Sequence, residues 1–344
     1  MKLSKIIVAT IATAATAMTM ASSAQAAKKL TLYCSPQIEW CQLVIQEFEK
    51  ATGIKVAMTR KSSGETFAQI KAERKNPKGD VWWGGTGDPH LQAAEEGLTV
   101  KYISSRYGEL RAWSTKQAEQ AGNKTVGIYM GALGFGYNTE LLAKKGLPEP
   151  KCWEDLTKPA YKGEVQIANP NSSGTSYTTL ATMVQLFGEE GGFNWWKRLH
   201  KNINQYTKSG SAPIKAAARG ETTIGIVFLH DVVTQAIKGF PIKAVAPCEG
   251  TGFEIGSMSI IKGARNMDSA KKWVDWALSP AAQALMPKAK AYQVPSNKAV
   301  MPPPEAPDVS AIKLIDYDFG KYGSSAERKR LLSKWDNEVK SLPR

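Results

Sequence analysis

Short β-rich segments alternate with helical segments through the first hundred residues, and this alternation limits the possible folds. Leu30 to Tyr33 is β-rich and precedes a helix that runs to Ala51, with Gly53 as its stop. Ser35 is predicted to be the N-cap of this helix and Pro36 its first residue. A second strand is predicted at Ile54 to Arg60, and a buried third strand at Val81 to Trp83. Because each strand is followed by a helical segment, we predict an α/β protein with a doubly wound sheet.

Small hydroxyl residues and glycines occupy the turns between these strands and helices. In doubly wound sheets, ligands bind beyond the carboxyl ends of the strands, near the helix N-termini. Three turns bring hydroxyls or free amides to that edge, at Ser35, at residues 62–66 and at residues 86–88. We expect the ligand to bind there.

A similar cluster lies between a strand and a helix in the second half of the chain. An extended segment, residues 163–168, runs into Asn169-Pro-Asn-Ser-Ser-Gly-Thr-Ser-Tyr177, and an apolar-periodic helix continues to Phe187. Another helix is predicted at Phe193 to Lys201. Free N–H groups at a helix start point outward, the helix dipole favours negative charge, and glycine allows close approach. The cluster is therefore either an ordinary Ser/Thr N-cap or an anion-binding helix start.

The first 26 residues have the pattern of a signal peptide. Lys2 and Lys5 are basic, residues 6–21 are apolar, and Ala24-Gln25-Ala26 is a small-x-small cleavage site. The apolar run is short for a membrane span, and no later segment approaches the required length. We predict cleavage near Ala26 and export to the periplasm, without stable membrane insertion.

The remaining length exceeds what one hydrophobic core usually serves, which predicts two lobes. Val126 to Asn138 is long, apolar and rich in glycine, as expected for a strand that crosses between lobes, and residues 247–254 suit the return hinge. The predicted parts are a first lobe (27–131 with 254–299), a second lobe (132–253) and a C-terminal helical segment packed on the second lobe (300–344).

The chain carries a formal net charge of +14, yet its Lys and Arg residues are dispersed, with no run of five or more. Dispersed charge on an exported protein favours an anionic small ligand over nucleic acid.

The chain has four cysteines, an even number that favours disulfides in an oxidising compartment, with three possible pairings. Cys34 ends a strand and Cys41 follows in the next helix, so a local bridge is favoured, leaving Cys152 with Cys248. A zinc site is the alternative, but neither a C-x-x-C motif nor clustered histidines support it. We expect no metal and no cofactor.

The order of these elements resembles the extracytoplasmic solute-binding proteins of ABC importers, in the ferric-type cluster. The opening strand and six further pieces carry the resemblance along the mature chain: Thr52-Gly-Ile54, Gly79-Asp-Val81, Gly134-Phe-Gly-Tyr-Asn138, Trp153-Glu-Asp-Leu156, Asn169-Pro170 with Ser172-Ser-Gly-Thr175, and Gly220 with Ile224-Gly225. The resemblance implies a type II periplasmic binding protein fold, in which two doubly wound lobes are joined by two crossover hinge strands. It also implies a monomer that closes on its ligand and delivers it to a permease powered by an ATPase.

Ferric members have a tyrosine pair where this chain has Phe228-Leu229-His230-Asp231. Fe(III) without phenolate ligands would be poorly held, and the pattern instead resembles the hexose-phosphate-binding branch. The resemblance implies polyol contacts from His230, Asp231 and Glu254. It implies phosphate contacts from the helix-start residues Ser172, Ser173, Gly174 and Thr175, to which we add Ser35, Ser63 and Thr86 from the first lobe.

Three alternatives to a hexose phosphate remain within the binding class, and one lies outside it. Asp231 and Glu254 also suit the ammonium group of 2-aminoethylphosphonate, and other organophosphates or ferric ion are further candidates. A secreted hydrolase would use Ser173 as nucleophile with His230 and Asp231 as base and orienting group. Neighbouring side chains on an extended segment point apart, and no G-x-S-x-G, P-loop or H-E-x-x-H motif is present. We therefore predict a binding protein rather than an enzyme.

Overall fold

The computed structural model describes residues 28–344, so the predicted signal peptide lies outside the described residues. The strands are β1 Lys29–Cys34, β2 Lys55–Arg60, β3 Val81–Trp83, β4 Val126–Asn138, β5 Val165–Ala168, β6 Ile203–Thr207, β7 Ile224–Phe228, β8 Ile242–Val245, β9 Phe253–Ile260 and β10 Val294–Pro295. The helices are α1 Ile38–Thr52, α2 Ser63–Ala72, α3 Gly87–Glu95, α4 Ala112–Gln120, α5 Thr139–Lys144, α6 Gly174–His200, α7 Ala212–Ala218, α8 Leu229–Ile237, α9 Met267–Ala277, α10 Pro280–Gln283, α11 Phe319–Tyr322 and α12 Ser325–Trp335. Within this part of the chain, no helix combines the length and apolar character needed to cross a membrane.

The strands form a mixed sheet in the order β2-β1-β3-β9-β4-β7-β5-β6, with β8 and β10 also paired to β4. The long strand β4 belongs to both halves of this sheet. Its residues 126–132 pair with β9, whereas residues 133–138 pair with β7 and β8. This confirms the predicted α/β fold, in which a strand crosses from one lobe to the other.

Two large clusters of buried apolar side chains lie on either side of this crossing. The first gathers residues between 30 and 129 together with residues 258–291, and the second gathers residues 133–228 together with residues 317–339. We refer to the parts around these cores as the first and second lobe. The exact lobe bounds given above stay a prediction.

Segment α6 contains two helices that meet at a kink at Gly188, where φ is 73° and ψ is 169°. This agrees with the two helices that the sequence predicts on either side of that glycine. Two other local predictions were wrong in ways that matter for the site. Helix α1 is capped by Gln37 rather than Ser35, because the Ser35 hydroxyl is bonded to Trp82 and Thr66 instead. His230 and Asp231 lie in the first turn of α8, not on an extended segment.

Both disulfides join the cysteines that the sequence favoured as pairs. Cys34 is bonded to Cys41, seven residues away, and Cys152 is bonded to Cys248, 96 residues away. The longer bridge closes most of the second lobe into a loop, which restricts the unfolded chain more than the short bridge does. In this state the cysteines offer no thiolates to a zinc ion.

Candidate ligand-binding site

Six helices begin at one cavity between the two lobes. Helices α1, α2 and α3 come from the first lobe, and α6, α7 and α8 come from the second. The void measures about 410 Å³, its open mouth included. Because the first N–H groups of a helix have no intrahelical partner and carry partial positive charge, this convergence favours an anionic ligand.

The lobes meet closely where α3 and α6 begin. A Cβ atom on Gly174 would lie 1.9 Å from Thr86 Oγ1, and a Cβ atom on Gly64 would lie 2.6 Å from Asn171 O. Such separations leave room only for glycine. The lobes are therefore in a closed arrangement, and two glycines make that closeness possible.

Hydroxyl groups from the first lobe line the same end of the cavity. Ser63 Oγ accepts a hydrogen bond from Thr86 N at 3.1 Å, which ties the start of α2 to the start of α3. Thr86 Oγ1 is buried and makes no hydrogen bond within the described residues. A buried hydroxyl without a partner is unusual and is available to a bound acceptor.

Arg60 is the only lysine or arginine among the described residues that line the cavity. It lies at the carboxyl end of β2, where its Nε donates to Pro36 O at 2.9 Å and its Nη2 contacts Ser209 Oγ at 3.4 Å. Burial lowers the pKa of Arg60, and the charge of Asp231 opposes that shift. The guanidinium therefore joins the two lobes and places a fixed positive charge at the cavity.

His230 lies at the centre of a second, acidic part of the cavity. Its Nε2 is 3.1 Å from Gln293 Nε2, 3.8 Å from Asp231 Oδ1 and 3.9 Å from Glu254 Oε1. Burial lowers the pKa of His230, so the ring is neutral at pH 7 and can both donate and accept. Its Nδ1 and the Oε1 of Gln293 are buried without partners in the described chain.

The two carboxylates in this part have different environments. Asp231 accepts a hydrogen bond from Gln37 Nε2 and faces Arg60. Burial, reinforced by the charge of Asp231, raises the pKa of Glu254 well above its ordinary value of 4.5. Tyr129 adjoins both parts, because its hydroxyl accepts from Gly85 N at 2.8 Å while its pKa is raised by burial and then by Glu254.

Replacing Glu254 with glutamine should stabilise the ligand-free protein near neutral pH. The folded state holds the Glu254 proton above pH 4.5, where the unfolded chain releases it, so this group lowers wild-type stability as pH rises through that range. We expect Glu254→Gln and wild type to unfold alike at pH 4 in urea titrations. At pH 7 the variant should be more stable than the wild type. In thermal unfolding, its Tm should rise by about 2 to 4 °C for each kcal/mol of destabilisation that the substitution removes.

The exposed substitution Glu305→Gln is the matched control and should leave the pH profile unchanged. Parallel pH profiles for Glu254→Gln and wild type would show that Glu254 ionises normally in the folded state, contrary to this prediction.

Most of the residues chosen from the sequence lie on the cavity: Ser35, Ser63, Thr86, Gly174, Thr175, His230, Asp231 and Glu254. Ser172 and Ser173 do not line it. The Ser173 hydroxyl is buried as the N-cap of α6 and accepts from Ser176 N, and the Ser172 hydroxyl donates to Lys208 O. At the start of α6, Gly174 and Thr175 therefore face the cavity, whereas Ser172 and Ser173 do not.

Ser62 also lines the cavity and lies in one of the turns expected at the ligand-binding edge, although it was not chosen as a contact. Sequence reasoning missed the other lining residues: Pro36, Gln37, Arg60, Gly85, Tyr129, Ser209, Gly210, Ser211, Phe228 and Gln293. A signal existed for Ser209-Gly-Ser211, which is another hydroxyl- and glycine-rich helix start. Arg60 was also detectable, as a charged residue at the carboxyl end of a parallel strand. Gln293 and Tyr129 carried no such signal.

Two lobes joined by a crossing strand, with a cavity between them, define a solute-binding protein of the type II periplasmic class. The model of the family described as bacterial extracellular solute-binding proteins matches residues 88–321. The chain belongs to this family, in its ferric-binding-like cluster. Members are non-catalytic, so the protein is a periplasmic solute-binding protein of an ABC importer and not an enzyme. Its partners are a small-molecule ligand and an ABC permease.

Three similar proteins illustrate the family. The periplasmic binding protein AfuA from Actinobacillus pleuropneumoniae, solved with exogenous fructose-6-phosphate bound, is 48% identical, with a TM-score of 0.90 over 92% of this chain and 99% of AfuA. An uncharacterized protein of Haemophilus influenzae is 48% identical over 99% of both chains. A putative 2-aminoethylphosphonate-binding periplasmic protein of Salmonella typhimurium is 24% identical over 82% of both chains.

Proposed function

We propose that this protein captures a phosphorylated small molecule, most specifically a hexose phosphate, between its closing lobes. The observation that carries the proposal is the chemical division of one cavity. One part has helix starts, hydroxyls and glycines, and the other has a neutral histidine with two carboxyl groups. Arg60 contacts Ser209 and interacts with the charge of Asp231. The bound fructose-6-phosphate of AfuA supports the same ligand class.

The helix-start part suits a phosphate group. Thr86 Oγ1 has no partner in the described chain, and Gly174 and Thr175 begin the first helix of α6, which runs to the kink at Gly188. Backbone N–H groups and hydroxyls donate to phosphate oxygens, and the dipoles of several helices favour its charge. Arg60 adds a charge-assisted donor, which together with the helix dipoles offsets part of the charge of the dianion.

The acidic part suits the hydroxyl groups of a sugar. Asp231 accepts from hydroxyls, and a protonated Glu254 donates one bond and accepts others. His230 Nδ1 and Gln293 Oε1 are the two buried atoms there that make no hydrogen bond within the described residues. Because leaving buried polar atoms unpaired costs free energy, a polyol that satisfies both would gain affinity.

A second candidate, 2-aminoethylphosphonate, has one observation in its favour. Asp231 and Glu254 both approach His230 within 4 Å and together could hold an ammonium group.

Ferric ion is disfavoured by the residue types that line the cavity. Tyr129 is the one phenol among the described lining residues, and burial raises its pKa well above 10.0, so it is a poor phenolate ligand.

Calorimetric titration with fructose-6-phosphate, 2-aminoethylphosphonate, inorganic phosphate and ferric citrate tests the proposal. We expect saturable binding of fructose-6-phosphate. The Asp231→Asn variant should lose roughly 10- to 100-fold in affinity for it, because a hydrogen bond to a charged group contributes about 1.5 to 3 kcal/mol. Its affinity for inorganic phosphate should change much less, since that ligand lacks the hydroxyls.

The exposed substitution Asp316→Asn serves as the control for loss of one negative charge and should bind like the wild type. Binding of ferric citrate alone would reject the organophosphate proposal. Strong binding of 2-aminoethylphosphonate without fructose-6-phosphate would select the second candidate.

A further inference from the structure

A second void adjoins the ligand cavity at the mouth of the cleft. It measures about 570 Å³, open mouth included, and shares Gln37 and Asp231 with the cavity described above. Four lysines line it: Lys215, Lys238, Lys288 and Lys290. We call these four residues and the space between them the lysine vestibule.

The lysine vestibule is built from both lobes. Lys215 and Lys238 come from α7 and the end of α8 in the second lobe, whereas Lys288 and Lys290 follow α10. Lys290 has a φ of 55°, one of only two positive values at non-glycine residues in the described chain. Its carbonyl accepts from Thr234 Oγ1 at 2.8 Å, which fixes this turn against α8. The left-handed backbone conformation is unfavourable for lysine, so the surrounding contacts hold Lys290 in that conformation.

The positive charge of the vestibule is not neutralised locally. None of its four ammonium groups lies within 4.0 Å of a carboxylate among the described residues, whereas other lysines, such as Lys145 with Glu164, are paired. The acidic residues on its wall are Glu39 and Asp231, and Asp231 already accepts from Gln37. The lysines outnumber these acids, so the mouth of the cleft is electropositive.

We propose that the lysine vestibule is an encounter site that attracts phosphate-bearing solutes and passes them to the cavity, an inference that rests on the proposed function. Charges of one sign around a cleft focus the field and raise association rates by about 10- to 10³-fold. At physiological ionic strength the attraction acts over a Debye length of about 8 Å, enough to reach a solute that approaches the mouth.

The vestibule should act on the rate of arrival rather than on the bound state. Gln37 Nε2 is bonded to Asp231 across the boundary of the two voids, so the closed lobes separate the vestibule from the cavity. A ligand held by Arg60 and the helix starts would not contact these lysines. Removing their charge should therefore lower kon and leave koff nearly unchanged.

Stopped-flow measurement of fructose-6-phosphate binding at several ionic strengths tests the proposal. In the test variant, Lys215, Lys238 and Lys288 become glutamine, and Lys290→Asn removes the fourth charge with a residue that tolerates the left-handed backbone. We expect kon to fall about 10-fold at low salt, the difference to vanish at about 0.5 M salt, and koff to stay within about twofold.

Two controls separate the effect of where the removed charges lie from the effect of how much charge is removed. Removing the exposed charge of Glu39 with Glu39→Gln should raise kon at low salt, opposite to the lysine variant. Glutamine at four exposed lysines that line neither void, namely Lys50, Lys116, Lys262 and Lys329, removes the same total charge and should change kon much less.

An unchanged kon and salt dependence in the lysine variant, or a loss located in koff, would overturn the encounter site while leaving the proposed function intact. Failure of the wild type to bind fructose-6-phosphate or any phosphate ester would overturn the proposed function, and the encounter site with it.

Discussion

A Gly174→Ala variant should fold normally and yet bind fructose-6-phosphate about 10- to 100-fold more weakly than the wild type. The new Cβ atom would lie 1.9 Å from Thr86 Oγ1 and 2.9 Å from Thr86 Cβ. Gly174 belongs to the second lobe and Thr86 to the first, so the clash exists only when the lobes are closed. Overpacking of this kind costs about 1 to 3 kcal/mol, and that cost falls on the closed state alone. The apparent affinity falls with the population of that state.

Small-angle scattering with and without ligand distinguishes this effect from local damage. The wild type should become more compact when fructose-6-phosphate is added, and Gly174→Ala should stay extended at the same concentration. Gly108→Ala is the matched control, because a Cβ atom there meets nothing within 4 Å and the backbone is not left-handed. Wild-type affinity and compaction in Gly174→Ala would mean that the lobes close in a different way.

The second large effect is expected at Arg60. In the Arg60→Gln variant we expect the affinity for fructose-6-phosphate to fall by about 100-fold, because a half-buried, charge-assisted donor to phosphate is lost. Arg60→Lys should recover only part of this, since an ammonium lacks the planar fork that contacts Pro36 O and Ser209 Oγ together. Calorimetric titration measures both variants under the same conditions.

The control for Arg60 is an exposed arginine on the same lobe. Arg74→Gln removes the same charge from a side chain that makes no hydrogen bond within the described residues, and it should bind like the wild type. Equal losses in Arg60→Gln and Arg74→Gln would show that overall charge, rather than a contact in the cavity, governs affinity.

The fold was predictable where a local pattern sets the structure. The crossing strand was predicted at Val126–Asn138, with the bounds that β4 has, because a long apolar run rich in glycine has few alternatives. The strand-to-helix turns were visible for a similar reason, since small hydroxyl residues and glycine suit helix starts. The sequence did not show which residues of a helix start face the cavity. For that reason Ser172 and Ser173 were chosen alongside Gly174 and Thr175.

The parts that escaped prediction depend on contacts between distant segments. Gln293 reaches His230 because the short strand β10 pairs with Met130 and Tyr129 of β4, a register that no local pattern encodes. Helix α8 was missed because the apolar strand before it runs into the helix without a breaking residue. Gln37 likewise reaches Asp231 only because the lobes close.

The arrangement of the two cores also has a consequence for how the protein is made. A growing chain emerges N-terminus first, and domains usually fold as they are completed. Here the first core joins Leu32 to Trp273, and the second joins Phe135 to Trp335, so each core needs residues that are synthesised late. Neither lobe can therefore complete its core until most of the chain has been synthesised.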